Sequence, residues 1–181
     1  MNDLTIITPT TGSKHLSKAI SSVQEQTKKV THLIVVDGPE CIDDVHRQIP
    51  VKPIMPIEIL VLPENVGRYN GKDYYGHRVY SGIPAVVNSD FISFLDEDNW
   101  VWPTFAQKML DAVQKNGALI ATCRRGIYAE NETFICNDDL RVSATTDSTS
   151  CTIPIRTCLT ESITSGTCRP SSTATGALTD P

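Results

Sequence analysis

The stretch Phe91-Ile92-Ser93-Phe94-Leu95-Asp96-Glu97-Asp98-Asn99-Trp100-Val101-Trp102-Pro103 decides how the chain is read. Its first five residues are apolar but for one serine, which is the pattern of a short buried strand. Three acids follow at once, at the position where open α/β sheets bind ligands. Residues two apart on an extended chain project to the same side, so Asp96 and Asp98 share one face. Pro103 then suits the first position of a helix, in which Phe105, Met109, Ala112 and Val113 make an apolar face that Asn116-Gly117 stops.

Outward from this stretch the same rhythm repeats. Leu4–Thr8 reads as a first strand, residues 13–27 as a helix with Leu16, Ala19, Ile20 and Val23 on one face, and His32–Val36 as a second buried strand ending at Asp37-Gly38-Pro39. A short helix over 40–48 and a third strand over 57–62 follow, with Pro50, Pro53 and Pro56 holding the chain extended between them. Beyond the acids, 118–123 is expected as a fifth strand, and 126–129 with 133–136 as a hairpin. Strands alternating with helical stretches imply a layered α/β domain. Residues 65–78 interrupt the rhythm with glycines, tyrosines and bases, as a ligand-facing loop would, and lead into a helix over 79–88 that Pro84 must start or kink.

Composition narrows the class. The chain has 181 residues, a formal net charge of −5 and an ordinary hydrophobic fraction of 40%. This excludes an electrostatically driven nucleic-acid binder, which needs a basic face, and no apolar run is long enough for a membrane span. The first residues have neither a basic start nor a long apolar stretch, so a cytoplasmic location is expected. Six cysteines show no zinc-ligand spacing. Past about Arg141 the chain turns rich in Ser and Thr, and the expected organisation is a domain over 1–140 followed by an atypical C-terminal segment, 141–181, flexible or altered.

The acids carry the chemistry. Hard carboxylate oxygens from Asp96 and Asp98 suit Mn²⁺ or Mg²⁺, which keep positions open for water and phosphate oxygens. A divalent cation there would stabilise a diphosphate as it leaves. The plainer alternative is a solvated acidic turn. Asp37, ending the second strand, could accept a ring N–H from uracil, thymine or guanine, or could merely cap its turn. Arg68, Lys72, His77 and Arg78 form a basic group able to meet phosphates, or a solvated loop. Tyr69, Tyr74, Tyr75, Trp100 and Trp102 offer faces on which a sugar could lie, unless they are core.

Thr8-Pro9-Thr10, Val35-Val36-Asp37-Gly38, Asn65-Val66-Gly67 and Phe94-Leu95-Asp96-Glu97-Asp98-Asn99 occur in that order. Together they resemble the GT-A glycosyltransferases of the family 2 type over roughly residues 1–140. Tyr75-Gly76-His77-Arg78 before the acidic triplet looks more like capsid glycosyltransferases of large algal DNA viruses, for which the location would be the host cytoplasm. The resemblance implies a mixed, mainly parallel sheet flanked by helices. It also implies a nucleotide-diphosphate sugar donor, with UDP favoured, and a glycan or glycoprotein acceptor receiving a hexosyl or deoxyhexosyl group. It gives Thr8, Pro9, Thr10 and Asp37 to the nucleoside, and Arg68 to the donor. The triplet including Glu97 holds the metal, with Asp98 as direct ligand and Asp96 on the ribose or a metal-bound water. The general base would lie downstream, where Asp138 and Asp139 are the paired acids. Two other readings compete: a nucleotide-sugar-binding domain with lost or weak transfer, and a sugar-nucleotide nucleotidyltransferase, for which Thr10-Thr11-Gly12-Ser13-Lys14 is a poor phosphate loop.

Overall fold

The computed structural model describes residues 4–129 and 131–137. Its centre is strand β1 (Leu4–Thr10), buried at every position, as a parallel strand covered on both faces must be. β1 pairs in parallel with β2 (Thr31–Val36) on one side and with β6 (Phe91–Phe94) on the other, and β3 (Ile57–Val61) pairs in parallel with β2. The four-stranded order is β3-β2-β1-β6. The chain therefore builds outward from β1 through β2 and β3, then returns across β1 to lay down β6. That reversal opens a crevice beyond the carboxyl ends of β1 and β6.

The period of two sorts the side chains onto two faces. Leu4 and Ile6 belong to a core with α1 (Leu16–Gln24) and α4 (Phe105–Asn116), through Ala19, Val23, Phe105, Ala106, Met109 and Leu110. Ile34 and Val36 extend this face toward α2 (Ile42–Gln48) through Leu16, Ile20 and Val45. Ile7, Leu33, Val35 and Phe94 point the other way, against Val79 and Ile83 of α3 (His77–Gly82) and the turn after it. Helices thus cover both faces of the sheet.

Most expected elements are present with shifted limits: β1 and β2 are longer than expected, and α1, β3 and β6 shorter. α1 begins at Leu16, because Ser13 spends its groups on a preceding turn: its carbonyl accepts the Leu16 N–H at 3.1 Å and its hydroxyl the His15 N–H at 3.3 Å. The helix expected over 79–88 starts earlier, at His77, and ends at Gly82, where Pro84 turns the chain into a 3₁₀ turn over Ile83–Ala85. Gly117, at φ 57°, closes α4, with the Ala118 N–H on the Val113 carbonyl at 3.0 Å. The start of α4 is held from a distance: Gln26 Oε1 accepts the Ala106 N–H at 3.0 Å while its amide donates to the Trp102 carbonyl at 2.8 Å.

The fifth strand expected over 118–123 is not formed. Leu119 is 81% exposed, and the segment packs on the core through Ala121 and Cys123 without entering the ladder. The expected hairpin is present as β7 (Gly126–Tyr128) and β8 (Phe134–Asn137), antiparallel. It leans on the tryptophans after the acidic triplet: Trp100 packs against Trp102 and Tyr128, and Tyr128 against Phe134, with ring centroids 5.2, 5.4 and 5.5 Å apart. Asp138, Asp139 and the segment 141–181 lie outside the described residues. No helix among the described residues is long and apolar enough to cross a membrane.

Candidate nucleotide-sugar site

The crevice at the strand ends is a cavity of about 760 Å³, within the range of a small-molecule pocket. One wall is the end of β1 with Pro9, Thr10 and Thr11; another is the acidic triplet after β6; a third is Asp37 after β2 with Asn65 and Gly67. Arg68, Asp73, Tyr75, Gly76, His77 and Tyr80 close the remaining side. The segment 65–78 thus faces the cavity, through a two-stranded ribbon of β4 (Arg68–Tyr69) and β5 (Lys72–Asp73) that leads into α3.

Asp96 and Asp98 both line the cavity. Burial raises the Asp96 carboxyl above its ordinary value of 3.8, and the nearby Asp98 charge raises it further; the Asn99 amide, donating to Oδ2 at 3.3 Å, and the charges of Arg125 and His77 pull the other way. A desolvated carboxylate beside a second carboxylate is a site short of positive charge. Two hard oxygen donors in that state fit a divalent cation that takes few protein ligands. Among the described residues no group of three or more His, Cys, Asp and Glu could hold a metal ion. Water and a ligand's own oxygens would therefore supply the rest of the shell.

Asp37 is 4% exposed and its carboxylate is already engaged, with Oδ1 accepting the Val66 N–H at 2.6 Å and Oδ2 the Gly67 N–H at 2.9 Å. Asn65 completes the knot by donating to the Asp37 carbonyl at 3.2 Å and accepting the Arg68 N–H at 3.0 Å. A carboxylate has about four acceptor directions, so Asp37 keeps capacity for one more donor from the cavity side. Asn65 and Gly67 were legible only as a motif, Thr11 only as part of a poor phosphate loop, and Tyr80 gave no signal in the sequence.

The other candidates divide. Pro9 and Thr10 reach the cavity, but Thr8 does not. It is fully buried, and its hydroxyl is 2.9 Å from His32 Nε2 within the sheet layer. Arg68 lines the cavity with its Nε donating to Asp73 Oδ1 at 2.9 Å, and His77 lines it beside Tyr80. Arg78 lies instead over the rings of Tyr69 and Tyr74, 4.8 and 4.9 Å from their centroids, where it braces the ribbon against α3. Lys72 is exposed on β5, away from the cavity lining. Glu97 lines the cavity, but its carboxylate turns to the β1–α1 loop, where it accepts hydrogen bonds from Thr10, Thr11 and Ser13.

Two solved structures are similar to this chain. The crystal structure of S. aureus TarS 1-349 aligns with TM-score 0.50 and 14% identity over 70% of this chain and 37% of that one. That of S. aureus TarS aligns with TM-score 0.48 and 13% identity over 70% of this chain and 21% of that one. The chain therefore spans well under half the length of either, and at such identity the former likeness speaks for the fold alone. No curated protein matches the chain. The sequence model described as "Glycosyl transferase family 2" matches residues 5–158, which takes in every strand of the sheet and the acidic triplet and runs past the compositional change near Arg141. The chain belongs to glycosyl transferase family 2.

Proposed function

We propose that this chain is the donor-binding part of a metal-dependent glycosyltransferase that takes a hexosyl or deoxyhexosyl group from a UDP-sugar and passes it to a glycan or glycoprotein hydroxyl. The observation that carries the reading is the convergence of Asp96, Asp98 and Asp37 on one cavity at the switch point of a parallel sheet. In the transfer, an acceptor oxygen forms a bond to the anomeric carbon, the bond from that carbon to the diphosphate breaks, and the acceptor proton passes to a base. Asp98 and Asp96 would hold Mn²⁺ or Mg²⁺. The bound cation supplies charge stabilisation to the departing diphosphate. Arg68, on the facing wall, adds positive charge toward the same phosphates, and His77 beside it offers a ring N–H donor. Tyr75 is 74% exposed at the cavity edge and offers a ring to the sugar. For the base, the family likeness points downstream to Asp138 or Asp139.

The narrower likeness to capsid enzymes of algal viruses has no support in the comparisons and rests on Tyr75-Gly76-His77-Arg78 standing before Leu95-Asp96-Glu97-Asp98-Asn99-Trp100. UDP binding measured with Mn²⁺, with Mg²⁺ and with EDTA tests the donor reading. Affinity is expected to fall in EDTA and to lose its metal response in Asp98→Ala, and equal affinity in EDTA would overturn it. Competition among nucleoside diphosphates tests Asp37. UDP is expected to exceed CDP and ADP by about 1.5–3 kcal/mol, the worth of one further hydrogen bond to a charged group. Hydrolysis of UDP-sugars measured beside binding separates a working transferase from a binding domain.

A further inference from the structure

Glu97 stands between the two carboxylates assigned to the metal, yet its own carboxylate is turned away from them. Oε2 accepts the Thr10 hydroxyl and, at 3.1 Å, the Ser13 N–H, while Oε1 accepts the Thr11 hydroxyl at 3.2 Å. Thr10 Oγ1 in turn accepts the Gly12 N–H at 2.9 Å, which folds the loop back on itself. The turn is a tight one: Gly12 has φ +81°, and a Cβ there would fall 2.9 Å from Asp44 Cβ. One side chain thus gathers donors from three residues more than eighty positions away. It ties the wall made by β1 to the wall made by the acidic triplet.

We propose that Glu97 is a positioning residue that locks the Thr10–Ser13 turn into the shape the donor's nucleoside half requires, and is neither a metal ligand nor a donor ligand itself. Its consequence for binding rests on the donor-site reading above, whereas the clamp is a property of the free protein. Two conservative replacements separate reach from charge. Glu97→Gln keeps the reach: the amide oxygen can accept from Thr10 and Ser13, and the amide N–H can donate to Thr11 Oγ1, since a hydroxyl is also an acceptor. Glu97→Asp keeps the charge but shortens the arm by one methylene.

The experiment is amide hydrogen exchange on the ligand-free protein, read at Ser13 and Gly12, beside UDP titration with Mn²⁺. The clamp predicts that Glu97→Gln keeps both amides protected and UDP affinity within about twofold, whereas Glu97→Asp loses the Ser13 protection and roughly tenfold in affinity. The opposite pattern in binding, with Asp tolerated and Gln not, would show that the charge at 97 faces the ligand and would overturn the proposal. Unchanged Ser13 protection in Glu97→Asp would also overturn it. Should the wild-type chain bind no nucleoside diphosphate, the donor reading fails, and the exchange pattern still decides the clamp.

Discussion

Asp37 and Gly67 meet so closely that only a glycine fits. The Gly67 N–H donates to Asp37 Oδ2 at 2.9 Å, and a Cβ on residue 67 would sit 2.7 Å from that same oxygen and 2.9 Å from the Tyr75 carbonyl. Gly67 is not in the left-handed region, so the requirement is space rather than backbone conformation. A buried carboxylate at the end of β2 thus fixes the loop that begins the ligand-facing segment, and the loop's amides offset the cost of burying the charge.

Gly67→Ala should therefore push Asp37 out of place or lift the 65–68 loop. A loss of about 1–3 kcal/mol in stability is expected, as for overpacking. Chemical unfolding measures it. UDP affinity should fall in the same variant, because Asp37 and Gly67 line one wall of the cavity. A variant with unchanged stability and affinity would show that the loop yields without cost.

Asp96→Asn should raise the stability of the ligand-free protein at neutral pH. The folded-state carboxyl is raised above 3.8, so below that pH both folded and unfolded chains carry the proton and no cost arises. As pH climbs from 3.8 through the raised folded value, the unfolded chain ionises more readily and the folded state loses stability. Asparagine removes this cost, with a gain on the order of 1 kcal/mol. Thermal melts at pH 7 and pH 3.5 measure it: the gain should be present at the first and absent at the second. The wild type should recover stability on adding Mn²⁺ and the variant much less, since a ligand bound only by the folded state stabilises it.

The parts of the fold written as local pattern were legible. β1, β2, β3 and β6 are apolar runs ended by turn residues, and Asn116-Gly117 stops α4 where a left-handed glycine is found. What the sequence hid are the long-range ties. Nothing local says that Gln26 would hold the start of α4, or that Glu97 would bond a loop 84 to 87 residues away. Thr8 read as a site residue because it shares a motif with Pro9 and Thr10, but it lies two residues short of the strand end, where its hydroxyl meets His32 inside the layer, while Thr10 on the same face reaches the cavity. The apolar run 118–123 read as a strand because composition does not reveal whether a ladder partner lies beside it.

A chain ending at Val142 should keep the fold and the donor site. Among the described residues the three core clusters draw on positions between Leu4 and Cys123, and the cavity lining runs from Pro9 to Asp98. Its thermal midpoint and UDP affinity should stay close to those of the full chain. Aggregation or lost UDP binding on shortening would show that the C-terminal segment packs on the domain, in keeping with a family match that runs to residue 158.

His32 should make the fold sensitive to acid. It is fully buried on β2; its Nε2 is 2.9 Å from Thr8 Oγ1, and among the described residues its Nδ1 has no hydrogen-bond partner. Burial lowers its pKa from 6.5 to about 3, so the folded state holds it neutral while the unfolded chain takes up a proton. The resulting stability is complete above pH 6.5 and is lost as pH falls toward 3, by roughly 1.4 kcal/mol for each pH unit across that window. Urea unfolding between pH 7 and pH 4 measures the slope. Replacing His32 alone with leucine would leave the Thr8 hydroxyl buried without its partner, at a cost of about 1–3 kcal/mol. The informative comparison is therefore the double variant Thr8→Val with His32→Leu. Its pH slope should be shallower than the wild type's by about one proton, since the carboxylates that also titrate there are common to both chains. Identical slopes would mean that His32 accepts its proton without unfolding, and that the layer between β1 and β2 is wet.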